Sequence, residues 1–221
     1  MRADRELAHQ SSVGRQDVLA FNTALVARHG RDMDDLSKRF WERPSPFAAF
    51  GSSPAPAASE AVKLLLVQRG AGDGRSFESL GSLAEKGLTP LVDEGLLTWR
   101  ALDDLSERPL LQQAALFRSA EVLVGACGAA LGWMMLMRPG AQVLEWLPRG
   151  VQPPLYRCSE AWNADPLGMF GGLGRLAGVD HVCLRSGQAT VPIADKNRWS
   201  AKRTTAKDAY WRLDNLDVDS Q

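Results

Sequence analysis

The sequence predicts an α/β fold in which a parallel β-sheet carries helices on both faces. Three observations support this. Short apolar runs recur along residues 61–184, with amphipathic segments between them. The runs are continuously apolar rather than alternating, as expected of strands buried on both faces. Several stop at glycine or small-residue turns, the punctuation of strand-to-helix connections.

In chain order, residues 1–43 are charged and helix-like, with Asp17 as a helix cap and Val18, Phe21, Leu25 and Val26 at helical spacing. Pro44 to Ser59 is rich in Pro, Ala and Ser and reads as a linker or surface loop. The chain therefore divides into a helical N-terminal extension with its linker (1–60) and a Rossmann-like domain (61–221). Strands are expected at Ala61–Val67, Leu96–Arg100, Glu121–Val124, Gln142–Trp146 and His181–Leu184. Helices are expected at Phe77–Lys86 (ending at Gly87), Glu107–Ala120, Gly128–Met137 (stopped by Pro139-Gly140) and Leu167–Ala177. Residues 186–221 are polar and mixed, and no element is assigned to them.

Composition narrows the function. Lys+Arg and Asp+Glu both number 26, so the formal charge is zero. A nucleic-acid binder would need a basic surface, so nucleic acid is not an expected partner. The three cysteines, Cys127, Cys158 and Cys183, are far apart and form no C-x-x-C pair. Neither a zinc site nor a disulfide framework is expected; each reads as a small buried side chain. His9, His29 and His181 have no neighbours at metal-ligand spacing. The first twenty residues hold no apolar leader core. The most apolar window, Ala126 to Met137, is too short to span a bilayer.

Ligands of open α/β sheets bind beyond the carboxyl ends of the strands, and three such ends stand out. After the first strand comes Arg69-Gly-Ala-Gly-Asp-Gly-Arg75. Its glycines would let backbone approach an anion, and Arg69 and Arg75 could pair with phosphate oxygens. Gly70-x-Gly72 also resembles the start of a dinucleotide fingerprint, with Asp103 and Asp104 beyond the second strand, although Arg75 stands where the third glycine would be. A glycine-rich surface turn with solvated arginines is the alternative. After the third strand comes Gly125-Ala-Cys127-Gly128-Ala129-Ala130-Leu131. The N–H groups that open the following helix could hold a phosphate; close helix–sheet packing also calls for small residues. Near the end of the fourth strand, Glu145 lies within the apolar run Val143 to Leu147. A carboxylate there is costly to bury alone. It could accept hydrogen bonds from ribose hydroxyls, or it could be a core-edge residue paired with an arginine. Asp217-Val-Asp219 has D-x-D form but lies in a polar tail, and the Gly171-Gly172-x-Gly174 cluster reads as a turn.

The order of these blocks resembles glycosyltransferase family 61, which includes plant xylan-modifying transferases and animal O-linked N-acetylglucosaminyltransferases. The likeness rests on LLLVQR ending at Arg69, on Arg75, and on Gln113-Ala-Ala-Leu-Phe117. It rests most on VLVGACGAALGWMMLMRPGAQVLEWLP from Val122 to Pro148, which is similar to the family's V-G-x-H-G-A-G-L, apolar helix, P-G-A and V-x-E. Phe170 to Val182 and Ala209 to Asp219 look like the blocks that follow. The resemblance implies the C-terminal, donor-binding half of a GT-B fold. That half is a Rossmann-like domain that binds a nucleotide sugar, UDP-linked, with no D-x-D metal site and no further cofactor. It implies a glycan or glycoprotein acceptor and a Golgi or ER-lumenal setting. By the same resemblance, Arg69, Arg75, Gly125, Cys127, Gly128, Ala129, Ala130 and Glu145 would line the donor site. Two departures stand in that site: Cys127 replaces the motif histidine, and Ala130 replaces a glycine. Cysteine cannot reproduce the hydrogen bonding of a neutral imidazole. Some 60 residues before the first strand cannot supply the acceptor-binding domain, so the chain is expected to be a fragment or a subunit. An NAD(P)-binding oxidoreductase domain and a non-catalytic nucleotide-sugar-binding module remain as alternatives.

Overall fold

The computed structural model describes residues 14–42, 61–68, 83–102, 105, 108–147 and 169–185. Helix α1 (Arg15–Glu42) is followed by strand β1 (Val62–Val67). A π-helical turn (Leu83–Leu88) then runs into helix α2 (Thr89–Asp93) and strand β2 (Leu97–Leu102). Next come α3 (Leu110–Ser119), β3 (Val122–Ala126), a 3₁₀ helix (Ala129–Leu136) and β4 (Gln142–Leu147), and finally α4 (Met169–Ala177) and β5 (Asp180–Arg185). The strands form one sheet in the order β2-β1-β3-β4-β5, and every neighbouring pair is parallel. All five expected strands are present, and the fold is α/β.

The register lines up residues across the sheet. Leu102, Val67, Gly125, Glu145 and Cys183 share one rung, and Arg100, Leu65, Leu123, Val143 and His181 share the rung two residues below it. Because side chains alternate along a strand, both rungs face the same side. On that side the core joins Leu65, Val67, Leu123 and Val143 to Leu116 and Phe117 of α3, Leu131 and Met134 of the 3₁₀ helix, Phe170 of α4, and Val18 and Trp41 of α1. On the other side Leu64, Leu66, Trp99, Val124 and Trp146 pack with Ala84, Leu88 and Val92. Handedness explains this division. Parallel crossovers are right-handed, and only the β1–β2 connection steps toward the β2 edge. Its helix therefore falls on one face, and the other three connections fall on the opposite face.

Helix α1 belongs to the larger of these two cores. It begins two residues before Asp17, whose Oδ2 accepts the Gly14 N–H at 2.7 Å. Asp17 is thus not the cap residue; it sits on the third helical position and reaches back, half of a capping box. Phe21 points outward and is 54% exposed. Asn22 holds the inward position instead and donates through Nδ2 to the Met135 carbonyl at 2.6 Å. At the far end, Trp41 Nε1 donates to Ser119 Oγ at 2.9 Å, and Arg100 Nη2 donates to the Trp41 carbonyl at 2.7 Å. Burial pushes the Arg100 guanidinium below its ordinary pKa. The carbonyl end of a helix is nonetheless a favourable place for a cation.

Two further local expectations differ from the structure. Gly87 does not stop its helix, which continues to Asp93; Gly95, at φ 72°, closes that segment. The Gly171–Gly174 cluster is not a turn but part of α4. A Cβ on Gly174 would lie 3.2 Å from His181 Cβ and 3.6 Å from the Val179 carbonyl oxygen, so the missing side chain lets α4 settle on β5. The helix ends at Gly178, φ 74°, where the Val179 N–H bonds to the Gly174 carbonyl at 3.0 Å. Among the described residues no helix is long and apolar enough to cross a membrane.

Candidate functional site

The strand order creates one topological switch point. From β1 the chain moves to β2 on one side, then crosses back to β3 on the other, and this leaves a crevice above the carboxyl ends of β1 and β3. Val67 and Gly125 pair at that point. The segment carrying Arg69 and Arg75 leaves β1 here, but both arginines, with Gly70, Gly72, Asp103, Asp104, Asp217 and Asp219, lie outside the described residues. The segment Gly125 to Ala130 leaves β3 on the same rim.

These small residues play separate roles. Gly125 is buried, and a Cβ on it would lie 3.1 Å from Leu131 Cδ2 and 3.7 Å from Val67 Cβ. Its missing side chain makes room for Leu131, so close packing accounts for this glycine. Cys127 extends the β3 ladder: its N–H bonds to the Trp146 carbonyl at 2.8 Å, while its side chain is 0% exposed within the larger core. Gly128 is extended, at φ 168° and ψ 174°. The first bond of the 3₁₀ helix runs from the Leu131 N–H to the Gly128 carbonyl at 2.9 Å. The N–H groups of Ala129 and Ala130 therefore stand ahead of the helix's own ladder, where a helix presents donors to an anion. Ala129 is exposed and Ala130 half-buried.

Glu145 sits beside Gly125 on the same rung and faces the side that carries the 3₁₀ helix. The two segments thus meet at one end of the sheet. Glu145 is only 4% exposed. Its partner is not an arginine but His181, whose Nε2 lies 3.0 Å from Oε2. The contact follows from register, since His181 lies on the adjacent strand, one rung lower on the same face. The other carboxylate oxygen, Oε1, is buried and has no hydrogen-bond partner among the described residues. Sequence reading missed His181, which offers no metal-ligand neighbours and joins Glu145 only once β4 and β5 are paired.

Cys183 also departs from expectation: it is disulfide-bonded. A bridge needs proximity in space, which linear spacing does not encode. Among the described residues no cluster of His, Cys, Asp or Glu could hold a metal ion. A scan against protein-family models finds no match for this chain, and a comparison with curated proteins also finds none.

Proposed function

We propose that this chain binds a nucleotide sugar at the switch point between β1 and β3, as the donor-binding half of a glycosyltransferase of the family 61 type. The diphosphate would lie over the Ala129 and Ala130 N–H groups, with Arg69 and Arg75 as counter-charges, and the ribose hydroxyls would donate to Glu145. In glycosyl transfer such donors stabilise the departing diphosphate as charge develops on it. The observation that carries the reading is the buried carboxylate beside Gly125, with Oε1 lacking a donor. The disulfide at Cys183 agrees with an oxidising compartment, as the secretory setting would supply.

One observation favours a second reading, a binding module without turnover. Cys127 holds the position of the family's motif histidine, yet its thiol lies within the larger apolar core and does not supply the hydrogen bonding of an imidazole. Calorimetric titration with UDP, UDP-sugars and NAD(H) tests both readings. UDP binding with sugar transfer supports the enzyme, and UDP binding without transfer supports the module. Binding of NAD(H) in preference to UDP would replace both with an oxidoreductase.

A further inference from the structure

We infer that His181 is a positioning residue for the Glu145 carboxylate, turning it so that Oε2 is held by the protein and Oε1 is kept for the hydroxyls of a ribose. This rests on the nucleotide reading above and deepens it by assigning the part that selects a ribonucleotide. An ionised carboxylate has room for about four donors, whereas the described residues offer Glu145 one, the His181 ring at 3.0 Å. With Glu145 ionised, Nε2 carries the proton and donates it to Oε2. Both groups are more than nine-tenths buried, so water does not compete for that bond.

The strand that carries the ring is itself held in place. Its backbone belongs to β5, in register with Val143, and α4 lies on it through Gly174, where a Cβ would come within 3.2 Å of His181 Cβ. The carboxylate thus has one oxygen fixed from the sheet-centre side of β5. The other has no donor, one strand away from the switch point. A buried acceptor left without a donor is unfavourable, and a ligand hydroxyl would satisfy it. Phosphate cannot fill that role, because two anions repel. The chemistry at Oε1 therefore selects a neutral hydroxyl donor, and the diphosphate must lie toward the Ala129 and Ala130 N–H groups.

The test compares UDP with 2′,3′-dideoxy-UDP on the full chain. Wild type should bind UDP at least ten-fold more tightly than the dideoxy analogue. His181→Phe should bring the ratio close to one by weakening UDP while leaving the analogue's affinity unchanged. His181→Gln, whose amide N–H reaches the place of Nε2, should restore the preference. Equal weakening of both ligands by His181→Phe would reduce His181 to a packing residue and overturn the inference. Absence of UDP binding by folded wild type would instead remove the nucleotide reading, and the inference with it. A ligand-free measurement separates the two: in ¹⁵N spectra of the His181 ring, Nε2 should be protonated and should shift on Glu145→Gln. An Nε2 indifferent to that change overturns the inference even if UDP binds.

Discussion

Gly125 and Cys127, two residues apart, answer different demands, and substitutions should separate them. At Gly125 the backbone is ordinary strand, and the limit is the 3.1 Å approach to Leu131 Cδ2, the movable end of a side chain. Gly125→Ala should therefore be nearly neutral, since alanine also recovers about 0.5–1 kcal/mol of strand preference. Gly125→Val should cost about 1–3 kcal/mol by overpacking. Urea denaturation of both variants checks this, and an equal, large loss in both would mean that Leu131 cannot yield. At Cys127 an imidazole would match the motif of the family 61 transferases that the sequence resembles, but the thiol has no exposed surface to extend into. Cys127→His should lose about 1–3 kcal/mol of stability for the same steric reason, with no gain in UDP affinity. A tighter-binding, fully stable variant would show that this position opens to the ligand.

Residue chemistry was legible in the sequence where one position was conspicuous by itself. Glu145 stood out because a carboxylate in an apolar run is expensive. Its partner did not, because His181 is 36 positions away and joins it only through the β4–β5 register. Asn22 was hidden for a related reason. Its polar amide occupies the buried stripe of α1 with Val18, while Leu25 and Val26 pack partly against the core as expected; hydrophobicity alone misplaced only Phe21, which sits outside.

At the scale of elements, the five strands could be read because each is a short apolar run with a clear stop. The role of α1 could not, because amphipathic periodicity gives a helix an inner face without naming what it packs on. In the structure α1 contributes Val18 and Trp41 to the same core as β1, β3 and α3, with polar ties at both ends. Removing residues 1–43 should therefore do more than trim an extension. The remaining chain should lose its cooperative melting transition and bind ANS, because a helix-wide strip of core is uncovered. An unchanged, sharp melt would mean that α1 rests on a domain complete without it. Trp41→Phe offers a milder form of the same test. It keeps an aromatic but smaller ring and loses the bond to Ser119, so it should cost the hydrogen bond's share, about 0.5–1.5 kcal/mol, together with the cavity left by the lost ring.

For the molecule as a whole, the sheet order brings the β1 and β3 exits together and pairs Gly125 with Glu145, so the candidate site follows from topology before any side chain is considered. The disulfide at Cys183 acts on the same scale. A bridge removes freedom from the unfolded chain, and reducing it should lower stability by about 2–4 kcal/mol. Peptide mapping under non-reducing conditions should recover Cys183 in a disulfide-linked peptide, and Cys183→Ser should melt as the reduced protein does. Identical melting with and without reductant would deny the bridge any part in stability.

The long reach of α1 also sets a schedule for the nascent chain. The Asn22–Met135 bond joins positions 113 apart, and the Trp41–Ser119 bond joins positions 78 apart. At about 5–20 residues per second, a ribosome needs roughly 6–23 s to add those 113 residues, and folding of the α1 end must wait for them. Until the last of those residues is made, Val18, Met33 and Trp41 lack part of their final cover, which makes α1 the natural early substrate of a chaperone. A cysteine placed at Met33 should stay reactive to a thiol reagent on stalled chains until the 3₁₀ helix has left the exit tunnel, and then become protected. Protection on shorter chains would mean that α1 finds cover from something nearer to it in sequence.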